Sequence, residues 1–378
     1  MNIAVYGADA IGEWFLSEVK RAMPDAAVLG VMDGFSKRND IKGIPVYRPQ
    51  DYLDQYKMQT DAVVIAAGRQ KAVCDMVQFL CENEISNIYM IHDIAGKKQY
   101  PLIEQGKFIK DRVRKIRFSP QRPTLPYIEL PITNACNLNC KGCLFLCNAS
   151  DVSEVSEHSI LKDLSRMKEL FEDIPWIRIL GGEPLMHSRL PDILSGARRI
   201  FSDSQIDICT NGLMIPFVSS EVYQIIREHR VVIHISGYDP TYRMRDKIEK
   251  TLEREKIPYC FLERVQFSKF YSGRETNDAV YNYSKCFTSS CHELYQGKLF
   301  PCSGIIAYQK MNEQFGMHYC LQEGKDYFNL YEEMDAWKTA EQLKNAVPAC
   351  RYCDMRNMQV FQWETAKGKV NIEDYIVN

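Results

Sequence analysis

The run Ala135-Cys136-Asn137-Leu138-Asn139-Cys140-Lys141-Gly142-Cys143 carries three cysteines at C-x3-C-x2-C spacing. Three is an awkward number for a closed metal site. Structural zinc takes four protein ligands, and a sealed iron–sulfur cluster takes four thiolates. Three thiolates on one short loop can hold three irons of a [4Fe–4S] cube and leave the fourth iron open. An open iron can take a small molecule through its amine and carboxylate. A zinc loop completed by a distant fourth ligand is the competing reading.

The surroundings of the loop bear on that choice. It follows an apolar, strand-like run, Tyr127-Ile128-Glu129-Leu130-Pro131-Ile132. A loop after a barrel strand lies at the strand's C-terminal end, where barrel enzymes keep their chemistry. A second such run, Trp176 to Leu180, leads into Gly181-Gly182-Glu183-Pro184. Two glycines let backbone approach a ligand closely, and the glutamate adds an acceptor suited to an ammonium group. Ile206 to Cys209 leads into Thr210-Asn211-Gly212, and Val231 to Ile235 into Ser236-Gly237-Tyr238. Small polar side chains at successive strand ends suit ribose hydroxyls. Asn-Gly and Ser-Gly are also ordinary turn dipeptides.

Together these segments resemble the radical S-adenosylmethionine (SAM) superfamily. The resemblance implies an α/β fold with a partial (β/α)6 barrel. It implies a [4Fe–4S] cluster on Cys136, Cys140 and Cys143, with SAM bound at the open iron. Gly181, Gly182, Glu183 and Pro184 would receive the methionine amine, and Asn211 and Ser236 the ribose. One position departs from the family pattern. Many members carry an aromatic residue before the third cysteine, where it meets the adenine; here it is Gly142. Leu144 or Phe145 could take over that contact. Cys147, just beyond the loop, has no counterpart in the family pattern.

Six of the fourteen cysteines lie after residue 285. Cys286, Gly297, Cys302 and the pair Cys350-Arg351-Tyr352-Cys353 resemble the twitch form of a SPASM-type C-terminal extension. That resemblance implies a second, auxiliary [4Fe–4S] cluster on Cys286, Cys302, Cys350 and Cys353, with Cys291 as a rival to Cys286. Four-cysteine zinc is the alternative. Cys260 lies in the strand-like run Ile257 to Leu262. A thiol facing a barrel interior could return a hydrogen atom to a substrate radical, which marks Cys260 as a candidate donor. A buried core thiol is the plainer reading.

At 378 residues the chain has room for two or three domains. We divide it into a Rossmann-like domain over 1–95, a basic linker over 96–124, the barrel over 125–275 and a C-terminal Fe–S lobe over 276–378. Strands at 3–6, 27–32, 62–66 and 88–91 alternate with helical stretches at 11–23 and 69–81, the pattern of a parallel, doubly wound sheet. Its first turn reads Gly7-Ala8-Asp9-Ala10-Ile11-Gly12, with aspartate where a dinucleotide fingerprint has its central glycine. Asp33 ends the second strand, where an acid could hold a ribose. The aspartate at position 9 argues against NAD binding. The linker holds Lys107, Lys110, Arg112, Arg114, Lys115 and Arg117, read as a solvated helix face.

Net charge is −2, so no global field selects nucleic acid. No apolar run is long enough for a membrane span. The N-terminus begins directly with a strand, and we expect a cytoplasmic location. The function expected from the resemblance is formation of a 5′-deoxyadenosyl radical and hydrogen abstraction. The outcome would be dehydrogenation or epimerisation of a sugar or glycan precursor. A peptide-modifying (RiPP-type) maturase forming a thioether or C–C crosslink is the alternative. A flavodoxin- or ferredoxin-type donor would supply electrons.

Overall fold

The computed structural model describes residues 1–22, 25–67, 70–91, 113–117, 119–263, 266–275 and 278–377. It divides into two compact units, Met1–Pro120 and Gln121–Asn378. In the linker, Lys107, Lys110 and Arg112 lie outside the described residues.

The first unit is built on β1 (Asn2–Tyr6), β2 (Ala27–Met32), β3 (Asp40–Ile41), β4 (Ile44–Tyr47), β5 (Ala62–Ile65), β6 (Ile88–Ile91) and β7 (Val113–Lys115). Their order is β3-β4-β2-β1-β5-β6-β7. The five central strands are parallel, in the order of a Rossmann half. β3 and β7 close the edges antiparallel. β1 and β5 read as unbroken apolar runs because a parallel sheet is covered on both faces; Ile3, Val5, Val63 and Ile65 are fully buried. The segment expected as a linker contributes β7, so this unit extends past residue 95.

Asp9 takes a definite role at the first turn. Its carboxylate accepts the backbone N–H of Ile11 at 2.8 Å and of Gly12 at 3.4 Å, capping the helix Ala10–Ala22 from within. Asp33 accepts from the backbone N–H of Ala8 at 2.8 Å, and of Phe35 and Ser36 at 2.7 Å each. Asp9 is spent on its own turn, and Asp33 ties the loop after β2 to the turn after β1.

The second unit starts with five strands paired in parallel and in chain order: β8 (Tyr127–Thr133), β9 (Trp176–Gly181), β10 (Gln205–Thr210), β11 (Val232–Gly237) and β12 (Tyr259–Glu263). Helices Glu157–Leu170, Leu190–Ile200, Ser220–Glu228 and Arg245–Arg254 occupy the crossovers. Ser156 and Ser219 cap two of them by accepting the backbone N–H three residues on. Ile160, Leu164 and Met167, at helical spacing, bury against Ile128, Leu130, Ile177, Ile179, Ile206 and Ile233. Strand alternation sends Glu129, Arg178, Asp207, His234 and Cys260 to the opposite face.

The C-terminal part belongs to this same unit, so the segments expected as 125–275 and 276–378 are not separate bodies. The reason is strand pairing. β15 (Glu293–Tyr295) joins β8 in parallel, placing Glu293 opposite Glu129, and β16 (Lys298–Phe300) and β17 (Phe328–Asn329) extend the sheet. β13 (Gln266–Lys269) pairs antiparallel with β18 (Gln359–Gln362), and β14 (Tyr271–Ser272) in parallel with β19 (Ile376–Val377). A second core forms around Leu146, Phe300, Ile305, Tyr308, Met311 and Tyr352. Among the described residues, no helix is long and apolar enough to cross a membrane.

Candidate active site

Cys136, Cys140 and Cys143 lie on the loop that leaves the C-terminal end of β8. Their thiols are close enough to influence one another electrostatically. Burial pushes Cys136 up to about 11 and Cys140 up to about 12. Cys143 is held below its ordinary value, first by a hydrogen bond with the Cys147 thiol; backbone N–H groups and nearby Lys310 act the same way. Other donors point at the sulfurs: Leu138 N lies 3.5 Å from Cys136 Sγ, and Trp363 Nε1 3.2 Å from Cys140 Sγ. An apolar setting with N–H groups aimed at sulfur fits thiolates shared with a cluster.

The Gly181-Gly182 pair serves close approach, and the backbone it meets is the loop's own entry. A Cβ on Gly181 would collide with Thr133 O, and one on Gly182 with Ala135 O. Gly182 N donates to Thr133 O at 2.7 Å and Glu183 N to Ala135 O at 2.7 Å. These bonds tie the GGEP segment to the root of the cysteine loop.

Glu183 is fully buried. Its carboxylate accepts from Thr210 Oγ1 at 2.7 Å, Asn211 N at 2.9 Å and Leu185 N at 3.0 Å. Burial raises it to about 6 although these bonds pull the other way. The glutamate thus locks the end of β9 to the end of β10. Asn211 in turn faces the loop: its Nδ2 donates to Asn137 Oδ1 at 2.7 Å and lies 4.0 Å from Cys136 Sγ. Thr241 Oγ1 donates to Asn211 O at 2.7 Å. Ser236 Oγ lies 3.6 Å from Cys209 Sγ, near the end of β11. The structure therefore brings Gly181, Gly182, Glu183, Pro184, Asn211 and the three cysteines together, with Ser236 at the neighbouring strand end.

Cys260 is fully buried and is the second residue of β12, toward the strand's N-terminal end. It pairs with His234 across β11 and β12. That face is a polar floor. Asp207 accepts from Trp176 Nε1 at 2.5 Å and Gln205 Nε2 at 2.7 Å, and its Oδ2 lies 3.2 Å from His234 Nε2. Arg178 NH2 is 3.4 Å from Asp207 Oδ2, and its guanidinium stands over the Trp176 ring at 4.9 Å. Burial pushes His234 down, but Cys260 and Asp207 beside it outweigh that and raise it to about 10.

A separate small cavity of about 20 Å³ is lined by Cys286, Cys302, Cys350 and Cys353, with Phe270, Asn282 and Tyr308. Asn282 Nδ2 donates to Cys350 O at 2.9 Å and Cys353 O at 2.6 Å, shaping the C-x2-C turn. Thr288 Oγ1 and Cys286 Sγ are 3.2 Å apart, and Tyr308 Oη and Cys353 Sγ 2.9 Å apart. Cys291 does not line this cavity. Its electrostatic neighbours include Glu129, Glu293 and Arg178, on the barrel side. Among the described residues no three His, Cys, Asp or Glu side chains converge on a single-ion metal site; the four thiols border the small cavity instead.

Sequence reasoning missed Trp363, Phe361, Lys310 and Asn282. Only the aromatic alternation Phe361-Gln362-Trp363 carried a local signal, that of a strand.

The fold and loop define a parallel α/β barrel with a three-thiol site at its strand ends. The radical SAM superfamily model matches residues 130–260, from within β8 into β12. That match covers about a third of the chain and identifies this barrel segment as a radical SAM domain. Similar curated proteins include GTP 3',8-cyclase of Syntrophomonas wolfei, 28% identical over 100 residues, 25% of this chain and 30% of that protein. GTP 3',8-cyclase of Geobacter sulfurreducens is 32% identical over 100 residues, with the same shares. The 7,8-dihydro-6-hydroxymethylpterin dimethyltransferase of Methanocaldococcus jannaschii is 32% identical over 88 residues, 23% of this chain and 17% of that protein. The chain thus spans less than a third of the length of these relatives. Among solved structures, BtrN in complex with AdoMet and 2-DOIA aligns with a TM-score of 0.37 and 14% identity, over 68% of this chain and all of that one.

Proposed function

We propose that this chain is a radical SAM enzyme that cleaves SAM reductively and removes a hydrogen atom from a sugar or glycan precursor, giving dehydrogenation or epimerisation. The observation that carries this reading is the gathering of three loop thiols against the strand-end residues of β9 and β10. In it, Cys136, Cys140 and Cys143 hold a [4Fe–4S] cluster with one open iron. With SAM bound and one electron added, the cofactors supply a carbon radical able to break an unactivated C–H bond. The chain binds, orients and excludes water. The Gly181–Pro184 backbone borders the methionine end, held there by Glu183, and Asn211 and Ser236 offer polar atoms to the ribose.

The four-thiol cavity supports a second [4Fe–4S] cluster on Cys286, Cys302, Cys350 and Cys353. Such a cluster could accept the second electron of a net oxidation. The Rossmann-type first unit favours a sugar-linked substrate over a peptide. An external flavodoxin- or ferredoxin-type carrier would deliver electrons.

Anaerobically reconstituted protein should hold about eight irons per chain, two cubes. It should form 5′-deoxyadenosine from SAM and dithionite. Alanine at Cys136, Cys140 and Cys143 together should abolish that product; unchanged SAM cleavage would overturn the site. Nucleotide sugars, rather than short peptides, should accelerate 5′-deoxyadenosine formation; acceleration by peptides alone would favour the maturase reading.

A further inference from the structure

The segment after β18 lies along the cysteine loop as a strap. Lys141 N donates to Glu364 O at 3.0 Å and Ala366 N to Asn139 O at 2.7 Å, while Cys140 and Thr365 form an antiparallel bridge. Asn139 Nδ2 adds bonds to Ala366 O at 3.2 Å and Gly368 O at 3.3 Å. These bonds fix the register of strap against loop.

That register brings Trp363 Nε1 to 3.2 Å from Cys140 Sγ. An indole N–H only donates, so the sulfur is the acceptor. The indole also stacks on Tyr238, at 5.5 Å between centroids and 27° between planes. Gly142 makes the approach possible. Its φ is +67°, and a Cβ there would stand 2.8 Å from Phe361 Cζ. Strap and glycine are therefore one device: a loop position without a side chain admits Phe361, and with it the strap.

We propose that Trp363 is a positioning residue that raises the reduction potential of the cluster on the Cys136 loop by donating its indole N–H to Cys140 Sγ. This rests on the reading of that loop as the cluster site. Reduction adds one electron from an outside one-electron donor to the cluster and its thiolates, with no bond made or broken. Added negative charge on sulfur strengthens an N–H···S bond, so the bond favours the reduced state. Low dielectric around the buried Cys140 enlarges the effect.

The test is a potentiometric titration of the reconstituted full chain, followed by EPR without SAM. Trp363→Phe keeps a ring against Tyr238 and removes the N–H. It should keep the wild-type iron content and show a more negative midpoint for the loop cluster, with the other cluster's midpoint unmoved. An unchanged midpoint with the loop cluster intact overturns the role of Trp363 alone. Retention of the loop cluster in Cys140→Ala would instead overturn the site assignment. If Trp363→Phe does not fold, wild-type protein carrying indole-15N tryptophan gives the same decision. Pulsed EPR of the reduced loop cluster should show a weak 15N coupling, and its absence refutes the contact.

Discussion

The Glu183 carboxylate accepts the backbone N–H of Asn211 at 2.9 Å, joining the ends of β9 and β10 beside the cysteine loop. The same carboxylate takes the Thr210 hydroxyl. A residue read from sequence as a ligand acceptor is in the fold the fastener that sets where its strand-end neighbours stand.

Glu183→Ala should therefore leave buried donors on Thr210 and Asn211, and the partly buried Leu185 N–H, without an acceptor. Each unmet buried donor costs about 1–3 kcal/mol, so a clear drop in melting temperature is expected. The carboxyl is raised to about 6 in the fold from an ordinary 4.5. Its ionisation in the fold thus costs stability, fully above pH 6; the cost is relieved as pH falls through 6 and is gone below 4.5. Glu183→Gln should lose this acid-side gain, on the order of 2 kcal/mol. Denaturant melts at pH 4.5 and pH 7 would show it, and identical pH dependence in variant and wild type would count against the account.

Cys302 lines the four-thiol cavity and Cys291 does not. In reconstituted protein, Cys302→Ala should lose about four irons per chain, one cube, and Cys291→Ala none. Iron and sulfide assays with EPR decide this. Loss of the second cluster in Cys291→Ala would reinstate Cys291 as a ligand.

Cys260 is fully buried on the polar face of the sheet, in register with His234 of β11. A buried core thiol packs as a small hydrophobe. With a substrate that turns over in D2O, Cys260→Ala should leave solvent deuterium incorporation into product unchanged, at a cost of about 1 kcal/mol in stability. Loss of incorporation with turnover retained would make Cys260 the hydrogen donor.

In the first unit, the helix Ala10–Ala22 has its N-terminal amides answered by Asp9. A pyrophosphate would have to displace that carboxylate against its charge. Calorimetry with NAD and NADH should show no binding. Asp9→Ala should lower the stability of this unit by about 1 kcal/mol; tight NAD binding by the wild type would contradict the internal-cap account.

The sequence by itself determined the features that rest on local spacing. The C-x3-C-x2-C loop, the GGEP turn and the strand-end residues needed only neighbours in the chain. The parallel sheets were legible because apolar runs and helical periods repeat over short windows. Tertiary structure alone decided the rest. Trp363 reaches Cys140 across 223 positions. β15 attaches to β8 by pairing Glu293 with Glu129, so the C-terminal cysteines fold into the barrel's own unit. Cys286 rather than Cys291 lines the cavity because the turn after Cys286 directs the next thiol toward the barrel, five residues on. Contacts of this kind leave no period in a sequence: they depend on strand register and on which side chain fills a gap such as the one beside Gly142, and both are fixed only when the chain closes on itself.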